Sequence, residues 1–285
     1  MSNLKIAVQK SGRLHQDSMQ LLKDIGISIN NGKDQLKASA QNFPLEIFYL
    51  RNGDIPQYLK DGVVDAAIIG ENVLAEKATD ILKLEKLGFS KCRVSIAIPK
   101  GVSYENVSDL EGKQIATSYP NTVNRFLEEN NINASIHVIN GSVEIAPNIG
   151  LADAIVDIVS SGSTLFKNNL TEKNVILTSE AVLSVSPKIS DSKQELLNTL
   201  RFRIRSVLKG RQSKYILLNA PDDKLNDIIK ILPGMNSPTV LPLAKKGWSS
   251  VHSVIDKNQF WEIIDALKQN GAEGILICSI EKMVI

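Results

Sequence analysis

The segment Asp153-Ala-Ile-Val-Asp-Ile-Val-Ser-Ser-Gly-Ser-Thr164 places two carboxylates and four hydroxyls close to one glycine. Its apolar half reads as a strand, and Leu165 onward reads as a helix. Positions 153, 155, 157 and 159 share one face of a strand, so Asp153 and Asp157 point the same way. The turn Ser160, Ser161, Gly162, Ser163 and Thr164 offers backbone N–H groups and hydroxyls to a phosphate at a helix start. A phosphorylated sugar suits the pattern, with its phosphate in the turn and a carboxylate on its ribose hydroxyls. An ordinary Ser/Thr helix cap uses the same residues, and at this point both readings stand.

Other polar turns follow apolar runs. Lys10-Ser-Gly-Arg13 comes first, Arg51-Asn-Gly-Asp54 second and Gly70-Glu71-Asn72 third. Arg13 can act as a planar fork on phosphate and Lys10 as a point charge. Thr117-Ser-Tyr119-Pro-Asn-Thr122 sits where a strand gives way to a helix. It is either a second anion turn or a helix cap. Gly141-Ser-Val-Glu144 ends another strand and brings Glu144 to the mouth of a proposed cleft, unless that acid simply starts a helix. No Ser/His/Asp or Cys/His arrangement is visible, which argues against covalent nucleophilic catalysis. The pattern fits transfer between two anionic substrates, governed by positioning and charge neutralisation.

The elements that must position these residues alternate. Strands are expected at Leu4–Val8, Leu45–Leu50 and Asp65–Ile69, with helices at Asp17–Ile25 and Ile55–Lys60. Further strands are expected at Val94–Pro99, Lys113–Thr117 and Ala134–Ile139, with a helix at Asn121–Asn130. Such alternation predicts α/β architecture with a largely parallel sheet. Gly62-Val-Val-Asp65 and the strand after it echo Gly150-Leu-Ala-Asp153 and its strand. Two similar lobes would face each other across a cleft at their strand ends. In the echo Asp153 matches Asp65, a strand-start acid of the kind that serves turns, while Asp157 matches Ile69 near the strand end. Asp157 is therefore the better placed of the two for a ligand. From about Arg211 the order becomes strand, helix, strand, strand, helix, strand, with Pro233-Gly234 as a helix stop. That βαββαβ order predicts a ferredoxin-like domain.

Composition narrows the class. With 285 residues the chain has room for two or three domains. The 33 Lys+Arg against 31 Asp+Glu leave +2, no global field for nucleic acid. Cys92 and Cys278, and His15, His137 and His252, are scattered without metal-ligand spacing. No protein-only metal cage and no structural zinc are expected, and the cysteine usage points to a reducing compartment. Without a signal-peptide pattern or a run of about 18 apolar residues, a cytoplasmic protein with no membrane partner is expected.

Taken together, the segments resemble the long form of ATP phosphoribosyltransferase, the first enzyme of histidine biosynthesis. The resemblance is carried by Val8-Gln-Lys-Ser-Gly-Arg-Leu14, Asp61–Leu74, Ile115-Ala-Thr-Ser-Tyr-Pro120 and Asn140–Pro147. Ser213–Leu218, Ser237–Leu243 and Ile280–Met283 extend it to the far end. It implies a two-lobed, periplasmic-binding-protein-like catalytic part. Lobe I would hold residues 1–92 and 178–210, lobe II residues 93–177, and a histidine-binding regulatory domain residues 211–285.

It also implies that N1 of ATP attacks C1 of phosphoribosyl diphosphate (PRPP), releasing pyrophosphate that carries Mg²⁺. The turn Ser160–Thr164 would hold the 5′-phosphate, and Asp157, with Asp153, the ribose hydroxyls. Lys10, Arg13, Glu144 and Asp157 would be catalytic. Arg13, Arg51, Asp54, Glu71, Asn72 and Tyr119 would line the ATP region. Where the family's usual turn reads Ser-Thr-Gly, this chain has Ser160-Ser161-Gly162, which keeps the hydroxyl. Histidine-inhibited hexamers in exchange with dimers are implied, with histidine near Asn219, Thr239, Ala272 and Gly274. Some relatives carry Asp where this chain has Asn219, and an amide pairs less strongly with an ammonium. A non-enzymatic two-lobed binding protein and a purely regulatory subunit are the rival readings.

Overall fold

The computed structural model describes residues 3–30, 36–77, 80–232 and 237–284. The expected stop at Pro233-Gly234 lies outside the described residues. The chain divides into two compact units, Met1–Leu197 and Asn198–Ile285.

In chain order the first unit begins with β1 (Leu4–Gln9), α1 (Arg13–Asp24), β2 (Lys37–Ser39) and β3 (Leu45–Leu50). It continues with α2 (Ile55–Asp61), β4 (Ala66–Gly70), α3 (Glu71–Lys77) and β5 (Leu82–Lys86). Lobe II follows with β6 (Cys92–Pro99), β7 (Gln114–Thr117), α4 (Pro120–Glu129), β8 (Ser135–Val138), β9 (Ala154–Val159), α5 (Ser163–Lys167) and β10 (Leu170–Ser179). The chain then returns with β11 (Ala181–Val185) and enters the long helix α6 (Asp191–Gln212).

One sheet runs β2-β3-β1-β4-β11-β5 and the other β10-β6-β9-β7-β8. Read in matching directions, β3-β1-β4-β11-β5 and β8-β7-β9-β6-β10 are the same arrangement. In each, three strands are parallel and the next is antiparallel. The echo is real: Gly62 and Gly150 both take φ near +75°. Asp65 and Asp153 then make the same bonds, each accepting a backbone N–H from the neighbouring parallel strand, from Lys5 and from Gln114.

Apolar side chains alternate inward along β3 and fill both faces of β4, as a strand covered on both sides requires. A lobe I core packs Ile55, Leu59, Val64 and Ile69 together, while Val94, Ile96, Ile115 and Val123 form one of lobe II. Each fully buried Leu or Ile contributes about 1.5–3 kcal/mol. Cores of this size hold each sheet to its own helices, so the lobes can meet through polar contacts.

Several expectations are adjusted. The first helix starts at Arg13 rather than Asp17, because Gly12, at φ 87°, releases the chain directly into it. Arg13 therefore sits on a helix, not in a loop. Glu71 and Asn72 open α3 instead of forming a turn. Sequence patterning did not find the sheet-completing strands: β10 and β11 carry no clean apolar alternation, and β5 alternates over only four residues, Leu82–Glu85.

The second unit holds β12 (Ser213–Pro221), a short 3-10 turn (Asp222–Lys224), α7 (Leu225–Ile231), β13 (Thr239–Pro242), β14 (Trp248–Asp256), α8 (Phe260–Gln269) and β15 (Glu273–Ser279). Its antiparallel sheet runs β13-β14-β12-β15, the ferredoxin-like order, with a core of Ile216, Leu218, Ile228 and Leu267.

Candidate active site

Parallel strands of both lobes end at one cleft. The chain passes between lobes at residues 87–91 and again at Glu180. Three cavities, of about 380, 270 and 290 Å³, share Cys92 and Ser160 in their walls.

The 270 Å³ cavity belongs to lobe II. Glu144, Asp157 and the whole run Ser160–Leu165 line it. Gly162 takes φ 78° with ψ 0°, a left-handed conformation that L side chains resist. It starts α5, whose first N–H groups have no preceding helical carbonyl to bond. Ser161 and Ser163 hydroxyls meet at 3.0 Å and hold the turn in shape. From beneath, Arg93 on β6 grips Glu172 through two nitrogens and reaches the Ser160 carbonyl at 3.3 Å. That pairing holds the Glu172 carboxyl below the ordinary range.

Asp157 is half-buried at the end of β9 and accepts a bond from the Ser118 hydroxyl at 3.3 Å. Burial pushes its pKa up, bonds from the Ile158 backbone amide and the Ser118 hydroxyl oppose the rise, and the negative charge of Glu144 adds to it. Two carboxylates that repel each other beside a hydroxyl-rich turn can accept from a ribose diol or share a divalent cation. Among the described residues no three His, Cys, Asp or Glu side chains cluster as a metal cage.

The 290 Å³ cavity joins the lobes. Arg13, Asn52, Gly70 and Asn72 come from lobe I, and Tyr119, Ile158 and Ser160 from lobe II. Asn72 is buried; its backbone N–H and amide oxygen both bond Ser179 Oγ, and its Nδ2 donates to the Tyr119 hydroxyl at 3.0 Å. Burial, followed by the charge of Asp157, pushes the Tyr119 pKa up to about 12. Tyr119 is thus a neutral phenol at physiological pH. The Asn52 amide oxygen is buried without a partner among the described residues, an acceptor available to a donor on a ligand.

The structure brings Arg13, Asn72, Tyr119, Glu144, Asp157 and Ser160–Thr164 to this cleft. Glu71 lines the adjoining 380 Å³ cavity, but its carboxylate is held by Lys83 at 2.7 Å and lies 3.9 Å from Lys86. Lys10, Arg51 and Asp54 are exposed on the turns after β1 and β3 and line none of the three cavities. Asp153 is not with them. It sits at the opposite end of β9, bonded to the Gln114 amide, facing a separate cavity with Lys113 and Asp109. Sharing a strand face did not bring Asp153 near Asp157, because four residues of strand span roughly 13 Å. Asn52, Ser118, Arg93 and Ser179 were missed. Asn52 lay inside a turn already singled out, whereas Arg93 and Glu172 are 79 residues apart and leave no local signal.

In the second unit Asn219 and Gly274 adjoin. A Cβ on Gly274 would lie 3.3 Å from Asn219 Nδ2. Thr239 is exposed on β13, opposite His252, which bonds the Tyr215 hydroxyl at 2.7 Å and Ser250 at 3.0 Å. Ala272 is buried in the core, so its side chain is not free for a ligand.

A two-lobed α/β body with a hydroxyl-rich turn at its cleft, followed by a ferredoxin-like unit, defines the class: a two-lobed α/β protein with an appended small domain. The family model for ATP phosphoribosyltransferase matches residues 51–206, and that for the HisG C-terminal domain matches residues 210–282. The chain is 53% identical over 281 residues to an ATP phosphoribosyltransferase of Cytophaga hutchinsonii, covering 99% of this chain and 98% of the relative. It is 53% identical over 282 residues to one of Phocaeicola vulgatus, covering 99% and 100%. Among solved structures, the ATP phosphoribosyl transferase (HisG:HisZ) complex from Thermotoga maritima matches with a TM-score of 0.63 and 32% identity, over 72% of this chain and 98% of that one. The chain belongs to the ATP phosphoribosyltransferase family, enzymes of the pentosyltransferase class that open histidine biosynthesis.

Proposed function

We propose that the cleft joins N1 of ATP to C1 of PRPP, giving phosphoribosyl-ATP and pyrophosphate. One observation carries the assignment: the Ser160–Thr164 turn, Asp157 and Glu144 line a single cavity that meets the two-lobed cavity at Ser160. The turn takes the 5′-phosphate on backbone N–H groups and hydroxyls. Asp157 accepts from the ribose hydroxyls, and Glu144 lies beside them. Arg13, Asn52, Asn72 and Tyr119 line the nucleotide side. Tyr119, a neutral phenol, can donate to or accept from adenine or ribose without adding charge. Lys10 and Arg51, on exposed turns at the strand ends, supply positive charge toward the polyphosphates. The adenine nitrogen is already a nucleophile, so no strong protein base is needed. As pyrophosphate leaves, charge builds on the ribose carbon, and fixed carboxylates near it lower that barrier.

Mg²⁺ bound through substrate pyrophosphate oxygens and water would neutralise the leaving group, and the mutually repelling Glu144 and Asp157 are the protein carboxylates that fit it. Regulation by histidine is proposed for the second unit at Asn219, Gly274 and Thr239, with Ala272 supplying only backbone. Assembly into dimers and hexamers, and a cytoplasmic location, follow the same family reading. No described helix is long and apolar enough to cross a membrane.

The test is direct. Purified protein with ATP, PRPP and Mg²⁺ is expected to form phosphoribosyl-ATP and pyrophosphate, measured with pyrophosphatase present to pull the equilibrium. Absence of both products from a folded preparation would end the proposal.

A further inference from the structure

Glu76 has no part in the chemistry above, yet it is buried, at 7% exposure. Its partners lie on the other lobe. The carboxylate accepts the backbone N–H groups of Asn121 at 3.0 Å and Thr122 at 2.9 Å, and the Thr122 hydroxyl at 2.8 Å. Those N–H groups belong to the first turn of α4, where a helix has no internal partner for them. Pro120 ahead of them has no N–H, and Tyr119 at the N-cap makes no side-chain capping bond. Glu76 therefore caps α4 from outside the helix and outside the lobe, with its charge at the favourable end of the helix dipole. The Asn121 amide closes the contact by donating to the Glu76 carbonyl at 2.9 Å.

The contact faces the substrates. One helical turn before Glu76, Asn72 bonds the Tyr119 hydroxyl across the same junction. Both residues line the cavity that joins the lobes. Those two bridges run between the start of α4 and one face of α3.

We infer that Glu76 is a positioning residue for the transferase reaction. It fixes the first turn of α4 on α3, sets the spacing of the lobes at that edge, and so aligns Tyr119 with Asn72 across the cleft. It does this through a carboxylate because two oxygens are needed for three donors. A glutamine would turn an NH₂ toward one of the N–H groups and leave that donor unpaired. The inference rests on the substrates meeting in this cleft.

The experiment combines steady-state kinetics with hydrogen exchange at the Asn121 and Thr122 amides. Glu76→Gln is expected to speed exchange at those two amides while the β9 amides stay protected. It should raise KM for ATP by about tenfold or more, the scale of a lost charged hydrogen bond, with a smaller change in kcat. Thr122→Val removes one of the three bonds and should raise KM by roughly threefold. If Glu76→Gln does not fold, Glu76→Asp, with its carboxylate withdrawn by one methylene, takes its place with the same readouts. Fast exchange at both amides with KM within twofold of wild type overturns the inference, as does an exchange increase spread evenly through lobe II with KM unmoved. Gly162→Val separates the two readings. If it raises KM for PRPP while the Glu76 variants leave KM alone, only the positioning role fails; if neither variant moves a KM, the cleft itself is wrong.

Discussion

The two lobes share one plan, and they differ at the strand ends that line the cleft. Ile69 on β4 faces Val182 on β11; the matching pair in lobe II is Asp157 on β9 and Ser95 on β6. Lobe I fills that position with core, and lobe II fills it with a half-buried acid. After β4 the chain enters α3 at once, whereas after β9 it passes through Ser160-Ser161-Gly162 before α5. The strand-start acids diverge too. Asp65 is buried and holds Lys193 through both oxygens, at 2.9 and 2.8 Å. Asp153 is exposed, and among the described residues no cation pairs with it. A repeated scaffold thus leaves the same positions open to opposite uses. The use follows what each strand end faces, not where it lies in the repeat.

The contrast can be broken most forcefully at the strand starts. Asp65→Asn should cost about 3 kcal/mol, because it leaves Lys193 charged and poorly paired in a buried site. Asp153→Asn at the equivalent position should cost less than about 1 kcal/mol, since one exposed backbone bond is weakened. Denaturant unfolding of the two variants measures both, and equal losses would show that the lobes use the repeated acid alike.

At the strand ends, Gly162→Val forces a β-branched residue to φ 78°. No neighbouring atom lies within 4 Å of an added Cβ, so the penalty is backbone strain of about 2 kcal/mol. A turn that relaxes to escape it should bind PRPP roughly 30-fold more weakly, read by calorimetry. Unchanged affinity would move the phosphate away from lobe II.

The smallest effect concerns Asp157 and pH. Its raised pKa means that the ionised form, the one able to accept from a ribose, is lost at a pH above the usual aspartate value of about 3.9. PRPP affinity should therefore fall on acidification before that value is reached, and Asp157→Asn should flatten the profile. The linkage sign is the reverse for folding. An acid whose folded pKa is raised favours the native state at low pH and opposes it as pH rises through that pKa. Asp157→Asn should consequently stabilise the fold at neutral pH while weakening binding. Thermal melts beside PRPP titrations across pH test both halves.

Much of this was legible without coordinates. Gly62 and Gly150, each followed three residues later by an acid and a strand, exposed the repeat because turns and strand starts are local. The βαββαβ order of the second unit was readable for the same reason. The serine-rich turn could be recognised as a phosphate site or a cap, but not decided between them. Asp153 looked like a companion to Asp157 because strand parity fixes the face and says nothing of distance along it.

What the amino-acid order determined by itself was therefore local: the alternation of strands and helices, the repeated glycine-to-acid spacing, the hydroxyls packed into one turn, and the family. Only the tertiary structure decided which strand ends meet. It bonded Asn72 to Tyr119, brought Asn52 to the same cavity, braced Ser160 with Arg93, and laid Glu76 on a helix start 45 residues away. Those pairings depend on two sheets folding separately and then closing on each other. Hydrogen bonds between residues so far apart leave no period or spacing along the chain, and only the packed lobes bring their atoms within 3 Å.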